Sequence, residues 1–103
     1  MAASAYRGRF APSPTGPLHL GSLSSALASF LDARAHGGAW LLRIEDLDPP
    51  REQRGATGRI LQSLRAHALH WDETELYQRD RTGAYERVGV ALLDRGDAFH
   101  CTC

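Results

Sequence analysis

The chain has 103 residues, 12 basic and 12 acidic side chains, 43% hydrophobic content and two cysteines. This length allows one domain with a modest core, and a formal net charge of zero leaves no electrostatic footprint for a nucleic acid or a membrane surface. No apolar run approaches the roughly 18 residues that span a bilayer, and residues 1–7 lack the long apolar segment of a secretory leader. A cytoplasmic location is therefore the default. All 12 basic residues are arginine, so these residues supply no lysine chemistry. In chain order, Arg9-Phe10-Ala11 reads as the end of a short strand, which Pro12 and Pro14 keep from continuing as helix. Thr15-Gly16-Pro17 is turn chemistry. Leu20, Leu23, Leu27 and Phe30 or Leu31 recur at helical spacing, predicting a helix over 22–36 that stops at Gly37-Gly38. A strand, a Pro/Gly loop and a helix N-terminus in that order aim free N–H groups and a positive dipole end at an anion. Gly21 would let a ligand approach the backbone, with the His19 imidazole beside it.

Trp40-Leu41-Leu42-Arg43-Ile44 follows a Gly turn and fits a buried strand of a parallel sheet, completing a βαβ unit expected to be right-handed. The acidic run from Glu45 to Glu52 then leaves the carboxyl end of that strand, where open α/β sheets bind ligands. For Asp46 and Asp48 the expectation is a solvated loop before a Pro-started helix, with Asp48 as N-cap. Glu45 is expected to face the same crevice as Arg9, its carboxylate holding a ligand ammonium while Arg9 holds a carboxylate. Ile60, Leu61, Leu64 and Ala68 predict an amphipathic helix over 55–68, with Arg59 and Arg65 solvated. Residues 69–73 read as a loop or short strand in which Trp71 anchors the core. A final helix over 81–95 carries Tyr85, Val88 and Leu92 on one core-facing stripe, with Gly96 as its stop. Cys101 and Cys103 are either two ordinary thiols or two ligands of a site; a structural zinc wants four, and His100 is awkwardly adjacent.

Together the motifs resemble a known family. His19-Leu20-Gly21-Ser22 resembles the first signature of class I aminoacyl-tRNA synthetases, His-Ile-Gly-His, with Ser22 standing where the second imidazole usually lies. The run Arg9-Phe10-Ala11-Pro12-Ser13-Pro14-Thr15-Gly16 is similar to the glutamate-specific form. Arg43-Ile44-Glu45-Asp46 resembles a second glutamyl motif, whose continuation Leu47-Asp48-Pro49-Pro50-Arg51-Glu52 looks like the short tRNA-modifying glutamyl-Q branch. The resemblance implies an α/β fold: the N-terminal portion of a Rossmann-like catalytic domain, a parallel sheet with flanking helices, with residues 1–103 an incomplete domain ending inside a half zinc site. It implies activation of L-glutamate with ATP and Mg²⁺ without tRNA, then transfer to the queuosine of tRNA(Asp), by a monomer.

The implied roles fall on matching positions. Arg9 grips the substrate's side-chain carboxylate, Phe10, Ala11, Pro12 and Ser13 shape the amino-acid pocket, and Glu45 reads the α-ammonium. Thr15, Gly16, His19, Gly21 and Ser22 hold ATP, the last three in the catalytic signature. Cys101 and Cys103 supply half of a Zn²⁺ site, completed by residues further along. The lysine-bearing loop of class I enzymes is missing from these residues, so little catalysis is expected of them alone. Two other readings are an ordinary glutamyl-tRNA synthetase, represented by its N-terminal part, and a non-catalytic paralogue.

Overall fold

The computed structural model describes residues 5–103. Residues 1–4, and with them part of the leader reading, lie outside the described residues. Three strands and three helices alternate: β1 (Arg7–Phe10), α1 (Leu20–Ala35), β2 (Ala39–Ile44), α2 (Ala56–Ala66), β3 (Leu76–Tyr77) and α3 (Thr82–Asp94). Single 3₁₀ turns occupy Pro49–Arg51 and Gln78–Arg81. The sheet order is β1-β2-β3. Both pairings are parallel, with Arg7 opposite Ala39, Phe10 opposite Leu42, Arg43 opposite Leu76 and Ile44 opposite Tyr77. The expected α/β architecture and its parallel βαβ start are present.

Alternation along β2 decides which face is covered. Trp40, Leu42 and Ile44 are buried, and they join Ala26 and Ala33 of α1, Ile60 and Leu64 of α2 and Leu69 in one core cluster. Both helices therefore cover the same face of β2, and Leu41 and Arg43 point to the other. Trp40 is fully buried at the centre; its Nε1 donates to Ser29 Oγ at 2.8 Å, Phe30 meets it edge-on at 5.3 Å, and Phe10 stacks at 6.2 Å. Small residues bring α1 close to the sheet: a Cβ at Gly8 would sit 3.2 Å from that of Ala33.

The Gly37-Gly38 stop works as read. Gly37 takes φ +62, and Gly38 N–H donates to Ala33 O at 2.9 Å, closing the helix end. Ala39 N–H then donates to Tyr6 O at 2.9 Å, opening the β1–β2 ladder. A Cβ at Gly38 would collide with that same Tyr6 carbonyl, so only glycine permits the approach. Asp72 completes the strand from the other end: its N–H donates to Trp40 O at 2.7 Å, and its Oδ2 accepts from Trp40 N–H at 2.8 Å and from Arg34 Nη1 at 2.6 Å. The Arg34 guanidinium and the Trp40 N–H hold the Asp72 carboxyl below its usual range.

Several expectations need correction. Helix α1 begins at Leu20 because His19 caps it, two residues before the expected start. The Pro-started helix is one 3₁₀ turn, and Asp48, although at its N-cap position, makes no side-chain cap and pairs with Arg51 instead. Strand β3 arises at Leu76–Tyr77, for which the sequence reading named no element. Asp46 is buried, not solvated, at 7% exposure. The α3 stripe is not core: no α3 residue is buried, with Tyr85 and Val88 exposed, because α3 packs on the Gln78–Arg81 turn and not on the sheet face that holds the core. Trp71 is half-buried against the core, with Arg65 stacked 4.8 Å above its ring. Among the described residues no helix is long and apolar enough to cross a membrane.

Candidate active site

The loop leaving β1 is held by main-chain bonds. Glu45 N–H donates to Pro12 O at 2.9 Å, Gln53 N–H to Pro14 O at 3.0 Å, and Thr15 N–H to Ser13 O at 2.8 Å. These bonds set the Pro12–Gly16 stretch beside the carboxyl ends of β1 and β2, the position where open α/β sheets take ligands. Two clefts open there, one on each side of Ser13 and Thr15, which line both.

The first cleft, about 360 Å³, is closed by Glu45, Leu47, Asp48, Arg51 and Gln78. Glu45 is half-buried and faces Ser13 and Thr15 across it. Asp46, next in sequence, turns away: its Oδ1 accepts from Arg79 N–H at 2.9 Å and its Oδ2 lies 3.3 Å from Arg79 Nε. That latch fixes the turn after β3 against the end of β2 and brings Gln78 to the cleft rim. The second cleft, about 390 Å³, runs between the end of β1 and the start of α1 and is lined by Phe10, Pro12, Leu18, His19, Gly21, Ser22 and Ser25.

His19 takes the place that a Ser, Thr, Asp or Asn oxygen holds in most helix caps. Its Nδ1 accepts from Ser22 N–H at 3.2 Å, and its Nε2 lies 3.1 Å from Ser22 Oγ. The first N–H groups of α1 have no intrahelical acceptor and, with the positive end of the helix, favour an anion at this mouth.

Not every expected site residue shares these clefts. Arg9 is exposed on the opposite sheet face, in a shallow groove of about 230 Å³ with Arg7, Leu41, Arg43, Glu73 and Leu76. Arg9 and Glu45 line separate depressions; with Phe10 turned toward Trp40, strand alternation puts Arg9 with Leu41 and Arg43 on the sheet face away from the core. Arg43 on that face donates from Nη2 to Tyr85 OH at 2.6 Å. Ala11 is half-buried at the strand exit, and Gly16 packs against the Gln53 side chain outside both clefts. Sequence reasoning missed Leu18 and Ser25 in the second cleft and Gln78 in the first; for Gln78 no local signal existed, because its place depends on the Asp46–Arg79 latch.

Cys101 and Cys103 are exposed beyond α3 with their side chains adjacent. The hydrogen bond with Cys103 holds the Cys101 thiol below its usual pKa, which favours the thiolate that metals bind. By donor type, two neighbouring thiols are ligands of the kind that a structural zinc site uses. Among the described residues no third His, Cys, Asp or Glu joins them.

Comparison with known proteins places this geometry. The sequence profile described as "tRNA synthetases class I (E and Q), catalytic domain" matches residues 5–103. A glutamyl-Q tRNA(Asp) synthetase of Vibrio parahaemolyticus is 57% identical over 98 residues, covering 95% of this chain and 33% of that protein. One of Shewanella amazonensis is 56% identical over 103 residues, covering 100% of this chain and 36% of that protein. Among solved structures, a glutamate tRNA ligase from Elizabethkingia meningosepticum, crystallised in complex with its amino acid, superposes with TM-score 0.82 at 38% identity, covering 85% of this chain and 19% of that one. The glutamate-tRNA synthetase of Elizabethkingia anophelis gives TM-score 0.84 at 37% identity, covering 88% and 20%. The chain spans about a third of the length of the curated relatives it matches. On the profile match, the two relatives and the shared fold, the chain belongs to the class I tRNA synthetase (E and Q) catalytic-domain family.

Proposed function

We propose that the full-length protein activates L-glutamate with ATP, without needing tRNA, and transfers the glutamyl group to queuosine of tRNA(Asp). The observation that carries this reading is the 53–57% identity, across nearly the whole chain, to proteins named glutamyl-Q tRNA(Asp) synthetase. The cleft geometry supports it. Two depressions meeting at Ser13 and Thr15 suit two substrates that must react with each other. The ordinary glutamyl-tRNA synthetase reading is less favoured, because the solved glutamate ligases stand at 37–38% identity.

In the first step an oxygen of the glutamate α-carboxylate attacks the α-phosphorus of ATP. The α–β bridging P–O bond breaks and pyrophosphate leaves as the new acyl–O–P bond forms. ATP enters as its Mg²⁺ complex. His19, Gly21, Ser22 and the α1 N-terminus would hold the phosphates in the second cleft, with Thr15 and Gly16 shaping the loop beside them. The amino acid would lie across the carboxyl edge of β1 and β2. There Glu45 would meet its α-ammonium, Ser13 would donate a hydrogen bond, and Phe10, Ala11 and Pro12 would form the wall. Arg9 would take the side-chain carboxylate. Such a site works by positioning and by stabilising spread negative charge. In the second step a queuosine hydroxyl attacks the acyl carbon and AMP leaves.

Cys101 and Cys103 would supply two thiolates to a structural Zn²⁺ whose other ligands come from outside these residues, and the 103 residues alone would catalyse little. We also assign the full-length protein a monomeric state. The test is glutamate-dependent ATP–pyrophosphate exchange by the full-length protein, with and without tRNA. Exchange without tRNA, followed by glutamylation of queuosine-containing tRNA(Asp), is expected. Exchange that requires tRNA(Glu) would instead favour an ordinary synthetase, and no exchange in either case would refute both.

A further inference from the structure

We propose that Arg43 is a specificity-determining residue for the amino-acid substrate. Its fixed positive charge, beside Arg9 on the same sheet face, makes the groove there favour a side-chain carboxylate over the neutral amide of glutamine. The proposal rests on the reading of Arg9 as the partner of that carboxylate.

Strand register sets the two cations together. Arg9 stands opposite Leu41 in the parallel β1–β2 ladder, and Arg43 lies two residues further along β2, on the same face. A strand spacing of about 4.8 Å and a two-residue rise of about 6.6 Å make them diagonal neighbours, with Cα atoms roughly 8 Å apart. Both line the groove of about 230 Å³. The charges of that groove do not cancel. Arg7 Nη2 lies 2.9 Å from Glu73 Oε2, so Glu73, the one carboxylate among the described lining residues, is already paired. Among the described residues no carboxylate pairs with Arg9 or Arg43. Two positive charges therefore remain in one depression, and an arginine keeps its proton throughout the neutral range.

Arg43 is held in place. It is half-buried, its Nη2 donates to Tyr85 OH at 2.6 Å, and its guanidinium lies 5.9 Å from the centre of the Tyr85 ring. Neither contact brings a negative charge, so α3 fixes the guanidinium without neutralising it. The Arg43 Nε is buried and has no acceptor, an uncommon state for a buried donor. A partly buried cation without a counter-charge is costly. An anion in the groove offsets that cost, whereas an amide does not. Glutamate and glutamine side chains have nearly the same shape, which leaves charge as the property that separates them.

The experiment uses the full-length protein and measures L-glutamate affinity by calorimetry and L-glutamine affinity by competition, each at low and high KCl. Arg43→Gln should weaken L-glutamate about threefold to tenfold, the worth of one charge roughly 8 Å away across a partly solvated groove. It should leave L-glutamine unchanged and flatten the salt dependence of L-glutamate binding, while Arg43→Lys should keep most of the preference. Glu73→Gln, at an exposed side chain, frees Arg7 and should tighten L-glutamate by about twofold to fivefold, a gain that a folding defect does not produce. Unmoved L-glutamate affinity in Arg43→Gln, or an equal loss for both amino acids, overturns the assignment. So does a Glu73→Gln protein that binds L-glutamate no tighter than wild type. Arg9→Gln reads the assumption beneath. If it leaves L-glutamate affinity intact, the groove is not the side-chain site and both readings fall; if it weakens L-glutamate while the Arg43 and Glu73 variants change nothing, only the Arg43 role falls. A protein with the expected affinities but no exchange loses the activation reading and keeps the Arg43 assignment.

Discussion

Replacing Asp46 should separate two interactions that share one carboxylate. Its Oδ1 accepts the backbone N–H of Arg79 at 2.9 Å, and its Oδ2 lies 3.3 Å from Arg79 Nε. The Asp46 side chain is only 4% exposed, whereas that of Arg79 is 67% exposed. A hydrogen bond to a buried charged group contributes about 1.5–3 kcal/mol, while an ion pair with one partner in water contributes about 0.2–1 kcal/mol. Asp46→Ala loses both and should cost about 2–3 kcal/mol, a fall of roughly 4–8 °C in melting temperature per kcal/mol for a chain of this size. Asp46→Asn keeps an acceptor for the Arg79 N–H and should cost less. Arg79→Ala leaves that N–H in place and should cost under about 1 kcal/mol. Urea unfolding of the three variants gives the order. Because the latch also places Gln78 at the rim of the first cleft, Asp46→Ala should raise KM for glutamate, and Arg79→Ala should hardly change it. The reasoning is refuted if Arg79→Ala costs as much as Asp46→Ala, since the exposed ion pair would then be the working part.

Gly21→Ala sets the better helix propensity of alanine, about 0.5–1 kcal/mol, against loss of the His19 cap, about 0.5–2 kcal/mol, so folding stability should stay within about 1.5 kcal/mol of wild type. The new Cβ must nevertheless displace the His19 ring, so exchange activity should fall about tenfold or more; thermal melts and kinetics on one preparation check both. Asp72 should govern part of the acid limb of stability. Its folded pKa is lowered from 3.8 by Arg34 and the Trp40 N–H, so its contribution is full above about that value and disappears as pH falls through the lower folded value. Asp72→Asn should be less stable than wild type at pH 7 and converge with it near pH 2, read from melts across that range. Cys101→Ser and Cys103→Ser in the full-length protein should each reduce bound zinc, measured by elemental analysis; unchanged zinc content would remove these cysteines from the site.

What the sequence revealed and what it concealed divide along contact range. The α1 and α3 ends, β2 and the cleft-forming loop were legible because their causes are local: a Gly pair, a period of 3.6, two prolines. Helix α1 still started early, since an imidazole nitrogen can cap a helix and no pattern of Ser or Asp announced it. Strand β3 is two residues long, too short for any periodicity, and exists by pairing with Arg43 and Ile44 over thirty residues away. The burial of Asp46 has the same origin, for its partner is Arg79. Arg9 is different: its turn away from the core was written in the alternation with Phe10, which stacks on Trp40. Tyr85 looked like core because its stripe is apolar, yet its hydroxyl pairs with Arg43 at the surface.

The loop around Pro12 and Pro14 carries one last implication. Each proline brings a carbonyl and no N–H, and each carbonyl is taken, by Glu45 and by Gln53. Main-chain atoms therefore set the shape of both clefts, and the side chains at Ser13, Thr15, Glu45 and Asp48 line them. Shape and choice of ligand are then separable. Residues at those four positions can be exchanged without loosening the frame, so selectivity for the bound molecule is free to diverge among relatives that keep the same scaffold.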